Sequence, residues 1–224
     1  MRVLDLTQPL GRDTVLWPGS TPISVETPCT HETHGFYAQN WRTPEHAGTH
    51  LDAPAHFAPG GIRTDAVPAE KLVVPCAVID VRERAALDAD LTLSRADVEA
   101  AEDADGPIDP GSAVLLCTGW DAFRGDAGRY LGEGDDLHFP GFGVDAAQAL
   151  IEREAVGLGT DTLGIDPGHA ADVPVHHLTL PAGLWHLEGL VNLHELPRRG
   201  ALLFAGALKL VEGSGAPARV LAVV

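Results

Sequence analysis

The sequence is poor in basic residues, with 15 Lys and Arg against 32 Asp and Glu and a formal net charge of -17. A surface of that sign repels nucleic-acid phosphates and anionic lipid headgroups, so neither is expected as a partner. Cysteine is scarce as well. Cys29, Cys76 and Cys117 lie far apart, are odd in number and form no CxxC pair, which speaks against a disulfide framework. Cys76 and Cys117 fall in apolar runs where buried, inert thiols are expected, and this usage fits a reducing cytoplasm. No apolar run reaches the roughly 18 residues that a membrane helix needs. The opening MRVLDLTQPLGRD carries Asp5 early and has no apolar core, so no secretory leader is expected. Internal repeats and low-complexity tracts are missing too.

What remains has the make-up of a globular protein. The 224 residues are 45% hydrophobic and 21% charged, which predicts a single domain over residues 1–224. A chain of this size buries a core without metal staples, so a bound metal is expected to be functional. Strands are predicted at 1–6, 23–26, 36–43, 73–81, 112–117, 156–160, 184–190, 201–211 and 219–224. Pro75 favours an edge or a strand end for its segment. Ser94 to Asp97 resembles a capping box opening a helix to about Glu102, and residues 144–154 have helical spacing. Residues 121–142, rich in Gly and Asp, read as a long loop. Strands outnumber helices, which suggests α/β layers with mixed sheets.

The eleven histidines matter through their placement. His46, His50, Asp52 and His56 fall within eleven positions and share one parity. In an extended chain such side chains point to one face, with His50 and Asp52 about 6–7 Å apart. Two side chains at that spacing can converge on one cation at about 2.0–2.2 Å. A straight segment would separate His46 from His56 by about 33 Å, so the chain must bend if all four meet. Gly48 and Pro54 supply the candidate bends. The His46/His50 spacing matches the helical HxxxH of zincins, but no Glu follows the first His, and Gly48 and Pro54 oppose a helix. Imidazole with carboxylate suits Zn²⁺, Mn²⁺ or Fe²⁺. A loop with incidental histidines is the plain alternative.

A second group follows downstream: His169, His176, His177, His186, Glu188 and His194. Glu188 sits in a mostly apolar stretch, where a carboxylate is costly unless a cation or hydrogen bonds compensate. It shares parity with His186, so one faces a site with the other beside it; a turn cap or an arginine partner is the alternative for Glu188. His31, His34, His138 and His194 read as surface or hydrogen-bonding residues, with His138 able to reach a pocket if its loop folds over.

The segment HAGTHLDAPAH resembles the HxGTHxDxPxH signature of the cyclase-like metal-dependent hydrolases, which include bacterial kynurenine formamidase and isatin hydrolase. Leu16-Trp17-Pro18-Gly19, Gly159-Thr160-Asp161-Thr162, Pro174-Val175-His176-His177 with Leu187-Glu188-Gly189, and residues 213–220 resemble further family segments, so the likeness runs over most of the chain. The resemblance implies a swivelling β/β/α fold with mixed sheets and a homodimer or higher oligomer whose neighbouring chain helps line the pocket. It implies His46, His50 and Asp52 as ligands of a first metal and Asp52 as a bridge to a second. His176, twelve residues before Glu188, fits the family spacing for that second metal together with Glu188, with His177 as the competing choice. His56 becomes the catalytic acid/base and Trp17 a wall of the substrate pocket.

The activity so implied is hydrolysis of a C–N bond in a small aromatic substrate, most like an arylformamidase acting on N-formylkynurenine. An isatin-type lactam hydrolase with one Mn²⁺ and a non-hydrolytic cyclase or dehydratase are the alternatives. Zn²⁺ is the expected ion, with Mn²⁺ as the alternative and one or two ions per chain. Trp17, with Phe139 or Phe142, offers flat surface for an aromatic substrate. From the residues alone, a metal-binding module without catalysis and a two-His-one-carboxylate oxygenase stay open.

Overall fold

The computed structural model describes residues 1–132 and 136–224. In chain order its elements are β1 (Val3–Asp5), β2 (Ser24–Cys29), α1 (His31–His34), β3 (Ala38–Arg42), β4 (His50–Asp52), β5 (Val73–Asp80), α2 (Arg82–Ala85) and β6 (Thr92–Leu93). They continue with α3 (Arg95–Asp105), β7 (Ala113–Cys117), α4 (Ala127–Leu131), β8 (Gly141–Phe142), α5 (Val144–Glu152), β9 (Gly157–Thr160), α6 (Pro174–Thr179), β10 (Trp185–Glu188), β11 (Ala201–Ala207) and β12 (Gly215–Val223).

Eight strands form one mixed sheet in the order β1-β12-β11-β5-β7-β9-β10-β4, and β4 also pairs with β12, so the sheet closes into a barrel. The run β5-β7-β9-β10 is parallel, and α3, α5 and α6 are its crossovers, as parallel neighbours require. Strands there are apolar on both faces. Val74, Cys76 and Val78 of β5 join Leu115, Leu187 and Leu203 inside the barrel. Ala77 and Ile79 join Leu116, Leu150 and Val175 beneath the helices. Each large side chain buried this way contributes about 1.5–3 kcal/mol. This α/β arrangement agrees with the mixed-sheet architecture expected from the sequence.

α3 starts at the capping box of Ser94 and Asp97 and runs one turn or so beyond Glu102. Asp161, at the end of β9, accepts hydrogen bonds from the backbone of Thr118 and Gly119 and from the Thr118 hydroxyl. Burial pushes its pKa up to about 7. That carboxylate locks the ends of β7 and β9 together beside the site.

Of the two places expected for Pro75 the structure keeps the strand end and rules out the edge, and one further expectation needs correction. β5 is an interior strand, lying between β11 and β7. Pro75 is tolerated because pairing with β7 begins only at Cys76, so its missing N–H faces no neighbour on that side. The stretch 121–142 is not one long loop. It contains a 3₁₀ turn at Trp120–Phe123, α4 capped by Asp126, and β8, while the part of the predicted loop at 133–135 lies outside the described residues. The Gly and Asp content hid this structure because it supplies caps and turns between very short elements.

β2 and β3 form a separate two-stranded arm. Phe36, Tyr37 and Trp41 on it are about half exposed. Among the described residues no helix is long and apolar enough to cross a membrane.

Candidate metal centre

The centre begins as a pattern on two neighbouring strands. β4 pairs antiparallel with β10, with Asp52 opposite His186 and His50 opposite Glu188. Leu51 and Leu187 between them point into the barrel core. Alternation therefore turns all four ligand-type side chains to the opposite face, beneath α6. The predicted bends fall where expected. Gly48 takes φ +62°, a left-handed conformation open to glycine, and Pro54 opens a 3₁₀ turn ending at His56. The chain thereby folds His46 and His56 back over β4, with their rings stacked at 4.0 Å.

Asp52 is the hub. Its Oδ1 lies 2.6 Å from His46 Nδ1 and 3.2 Å from His50 Nε2. Its Oδ2 lies 3.5 Å from His176 Nε2 and 3.8 Å from His186 Nδ1. Glu188 closes the ring, 3.4 Å from His50 Nε2 and 3.2 Å from His176 Nε2. Two overlapping groups of potential ligand atoms each fit within 4.8 Å: Asp52, His176, His186 and Glu188 in one, His46, Asp52 and His56 in the other.

Each ring is oriented from behind. His50 Nδ1–H donates to the Gly48 carbonyl at 2.9 Å, leaving Nε2 to face the carboxylates. His176 Nδ1 donates to Asp166 at 2.6 Å, and Asp166 also caps α6 through the backbone N–H groups of Val175 and His176. The Ser214 hydroxyl donates to Glu45 and accepts from His46 Nε2. A Cβ on Gly215 would stand 2.3 Å from the His46 ring, so glycine is required there. Outer partners of this kind fix the tautomer of metal-ligating histidines.

The electrostatics call for positive charge. Burial works against protonation of His50, but Asp52 and Glu188 outweigh it and hold its pKa up at about 10. Burial and the Asp52 charge push Glu188 up, yet His176 and His50 pull it down to about 2. Burial, helped by the neighbouring His46 and His176, pushes His56 down to about 4 against the pull of Asp52 and Glu188. Imidazolium protons thus balance two buried carboxylates, a balance that a divalent cation supplies while releasing those protons. Asp52 Oδ2 and His186 Nδ1 are buried without a hydrogen-bond partner among the described residues. Such orphaned acceptors are costly unless something binds them. The donor set and its spacing fit a divalent cation.

A cleft of about 420 Å³ opens onto the cluster, lined by Leu16, Trp17, His46, His56, Phe57 and Val173 among others. The structure thus brings together all the site residues expected from the sequence: His46, His50, Asp52, His56, His176 and Glu188, with Trp17 on the cleft wall. His177 is exposed and packs edge-on against Phe57, so of the two adjacent histidines it is His176 that faces the cluster. Phe139 and Phe142 are fully buried in other clusters and cannot meet a substrate. Phe57, next to His56, takes the place they were expected to fill. His138 pairs with Asp90 at 2.8 Å and is not among the residues lining the cleft. His186 is the residue the sequence left undecided; its parity with Glu188 was the signal. Asp166 and Ser214 carried no signal, since their role depends on contacts that only the fold creates.

Comparison with known proteins agrees with this geometry. Residues 4–167 match the family described as putative cyclase. An isatin hydrolase from Roseibium aggregatum is 34% identical over 100% of this chain and 92% of its own length. A kynurenine formamidase from Salinibacter ruber is 29% identical, covering 98% of this chain and 96% of that protein. The crystal structure of an isatin hydrolase bound to the product analogue thioisatinate superposes with a TM-score of 0.95 at 31% identity, over 99% of this chain and 92% of that one.

Proposed function

The chain belongs to the cyclase family and is a metal-dependent hydrolase, and we propose that it cleaves the C–N bond of a small aromatic amide, most like an arylformamidase acting on N-formylkynurenine. One observation carries this reading: a buried ring of imidazoles and carboxylates around Asp52 lies at the floor of a cleft of about 420 Å³ walled by Val15, Leu16, Trp17 and Phe57. When bound, a divalent cation supplies Lewis acidity that polarises a carbonyl and acidifies water. His46, His50 and Asp52 would hold it on the cleft side, and Asp52, His176 and Glu188 would hold it behind. Zn²⁺ is the ion we favour, Mn²⁺ the alternative, and the two oxygens of Asp52 leave room for one or two ions.

His56 is the proton carrier in this reading. It stands in the cleft wall against His46, and it has no hydrogen bond that would tie up its ring nitrogens among the described residues. General acid–base catalysis of this kind contributes about 10²–10⁴-fold. Trp17 and Phe57 flank the cleft and present flat faces to an aromatic substrate.

A lactam of the isatin type is the second reading, and the cleft wall favours it. No Arg or Lys lines the cleft among the described residues, so no guanidinium or ammonium there meets an amino-acid carboxylate. Formate release from N-formylkynurenine, measured beside ring opening of isatin, tests both. Turnover of the first supports the formamidase reading, turnover of the second alone transfers the assignment to the lactam, and turnover of neither by metal-loaded protein defeats both.

The exposed aromatic arm supports a homodimer or higher oligomer, since an isolated two-stranded hairpin is marginal in water and gains by packing on a second copy. Three free thiols, two of them buried, support a reducing, cytoplasmic setting. Light scattering in solution checks the first point.

A further inference from the structure

We infer that His186 is a metal ligand through Nδ1, and that it makes the inner of the two cation positions a closed, four-ligand site. The inference rests on the metal-dependent reading above and adds a ligand and a division of labour to it.

The tautomer of His186 follows from one hydroxyl. Thr179 Oγ1 donates its single proton to the Val175 carbonyl at 2.7 Å. Toward His186 Nε2, also at 2.7 Å, that oxygen can therefore only accept. The proton of the neutral ring is on Nε2, and Nδ1 carries a free electron pair. That atom has no hydrogen-bond partner among the described residues, in a side chain with no exposure at all. It faces Asp52 Oδ2, the second buried acceptor without a partner. Two acceptors cannot satisfy each other, so both need a cation or a donor between them.

The spacing matches a tetrahedral cation. Ligand distances of about 2.0–2.1 Å imply ligand–ligand separations of roughly 3.3–3.4 Å. The observed separations are 3.2 Å from His176 Nε2 to Glu188 Oε1, 3.5 Å from His176 Nε2 to Asp52 Oδ2 and 3.8 Å from His186 Nδ1 to Asp52 Oδ2. With His186 the inner position has four protein atoms and no vacancy, the pattern of a structural site. The outer position, on Oδ1, would draw on His46 and His50 beside Asp52, with His56 and Glu188 Oε2 close by, and it faces the cleft. The inner cation then holds Asp52 in place for the outer one.

Zn²⁺ and Co²⁺ titrations of the whole protein against a competing chelator test this. Wild type is expected to bind two ions per chain, one at least about 100-fold tighter than the other. His186→Leu is expected to lose the tight step while keeping the weak one, and to lose the intense visible absorption of four-coordinate Co²⁺. The apo form of this variant should melt no lower than wild-type apo protein, because the substitution removes an unsatisfied buried atom. If His186→Leu does not fold, Thr179→Val serves instead: freeing Nε2 should weaken the tight step about 10- to 100-fold. Unchanged tight binding in either folded variant overturns the inference and leaves the metal-dependent reading standing. Absence of any binding by wild type defeats both.

Discussion

The two oxygens of Asp52 look onto different surroundings. Oδ1 faces His46, whose side chain is 27% exposed on the cleft, while Oδ2 faces His186 and His176, at 0% and 9%. Behind the inner side stand Thr179 and Asp166 in a packed helix; behind the outer side stand Ser214 and Glu45 at the surface. Depth suits holding an ion, and access suits reacting with a substrate. One carboxylate spans both, so the contrast is built into a single residue.

The strongest way to break the contrast is to remove its shared member. Asp52→Ala should abolish tight binding on both sides and with it turnover, read by metal analysis and by amide hydrolysis together. Next in size, His56→Ala should lower kcat by about 10²–10⁴-fold while the protein retains its metal, since only the exposed side loses a group. Loss of stoichiometric metal in that variant would make His56 a ligand, in line with its closeness to His46 and Asp52. Stripping metal should lower the melting temperature by about 10 °C, the consequence of about 4 kcal/mol of linkage at a thousandfold excess over Kd. Differential scanning calorimetry with and without chelator reads it. The smallest effect sharpens the outer side alone: Trp17→Ala should raise KM roughly 3- to 10-fold with kcat nearly intact, because that ring is 44% exposed and supplies only one wall.

Much of this was legible in the sequence, for physical reasons. Compact apolar runs exposed β5 and β7, and Ser94 with Asp97 announced α3. The parity of His46, His50, Asp52 and His56, with Gly48 and Pro54 between them, foretold a bent metal-binding face. The family resemblance added His176 and Glu188 across more than a hundred residues. What stayed hidden depends on tertiary contact. Short elements such as α4 and β8 have too few residues for a period to emerge. The burial of Phe139 and Phe142 follows from their packing against other elements and not from their neighbours in the chain. His186 could not be told from an ordinary core histidine until Thr179 was seen behind it.

The closure of the barrel has a consequence for biosynthesis. β4 is clasped between β10 and β12, and Ser214 and Gly215 form the slot for the His46 ring. A nascent chain on the ribosome thus exposes the HAGTHLDAPAH segment long before its far wall has been translated. Metal capture in the native arrangement must wait until Ser214 and Gly215 emerge, and until then the imidazoles are free to bind the wrong ion or the wrong neighbour.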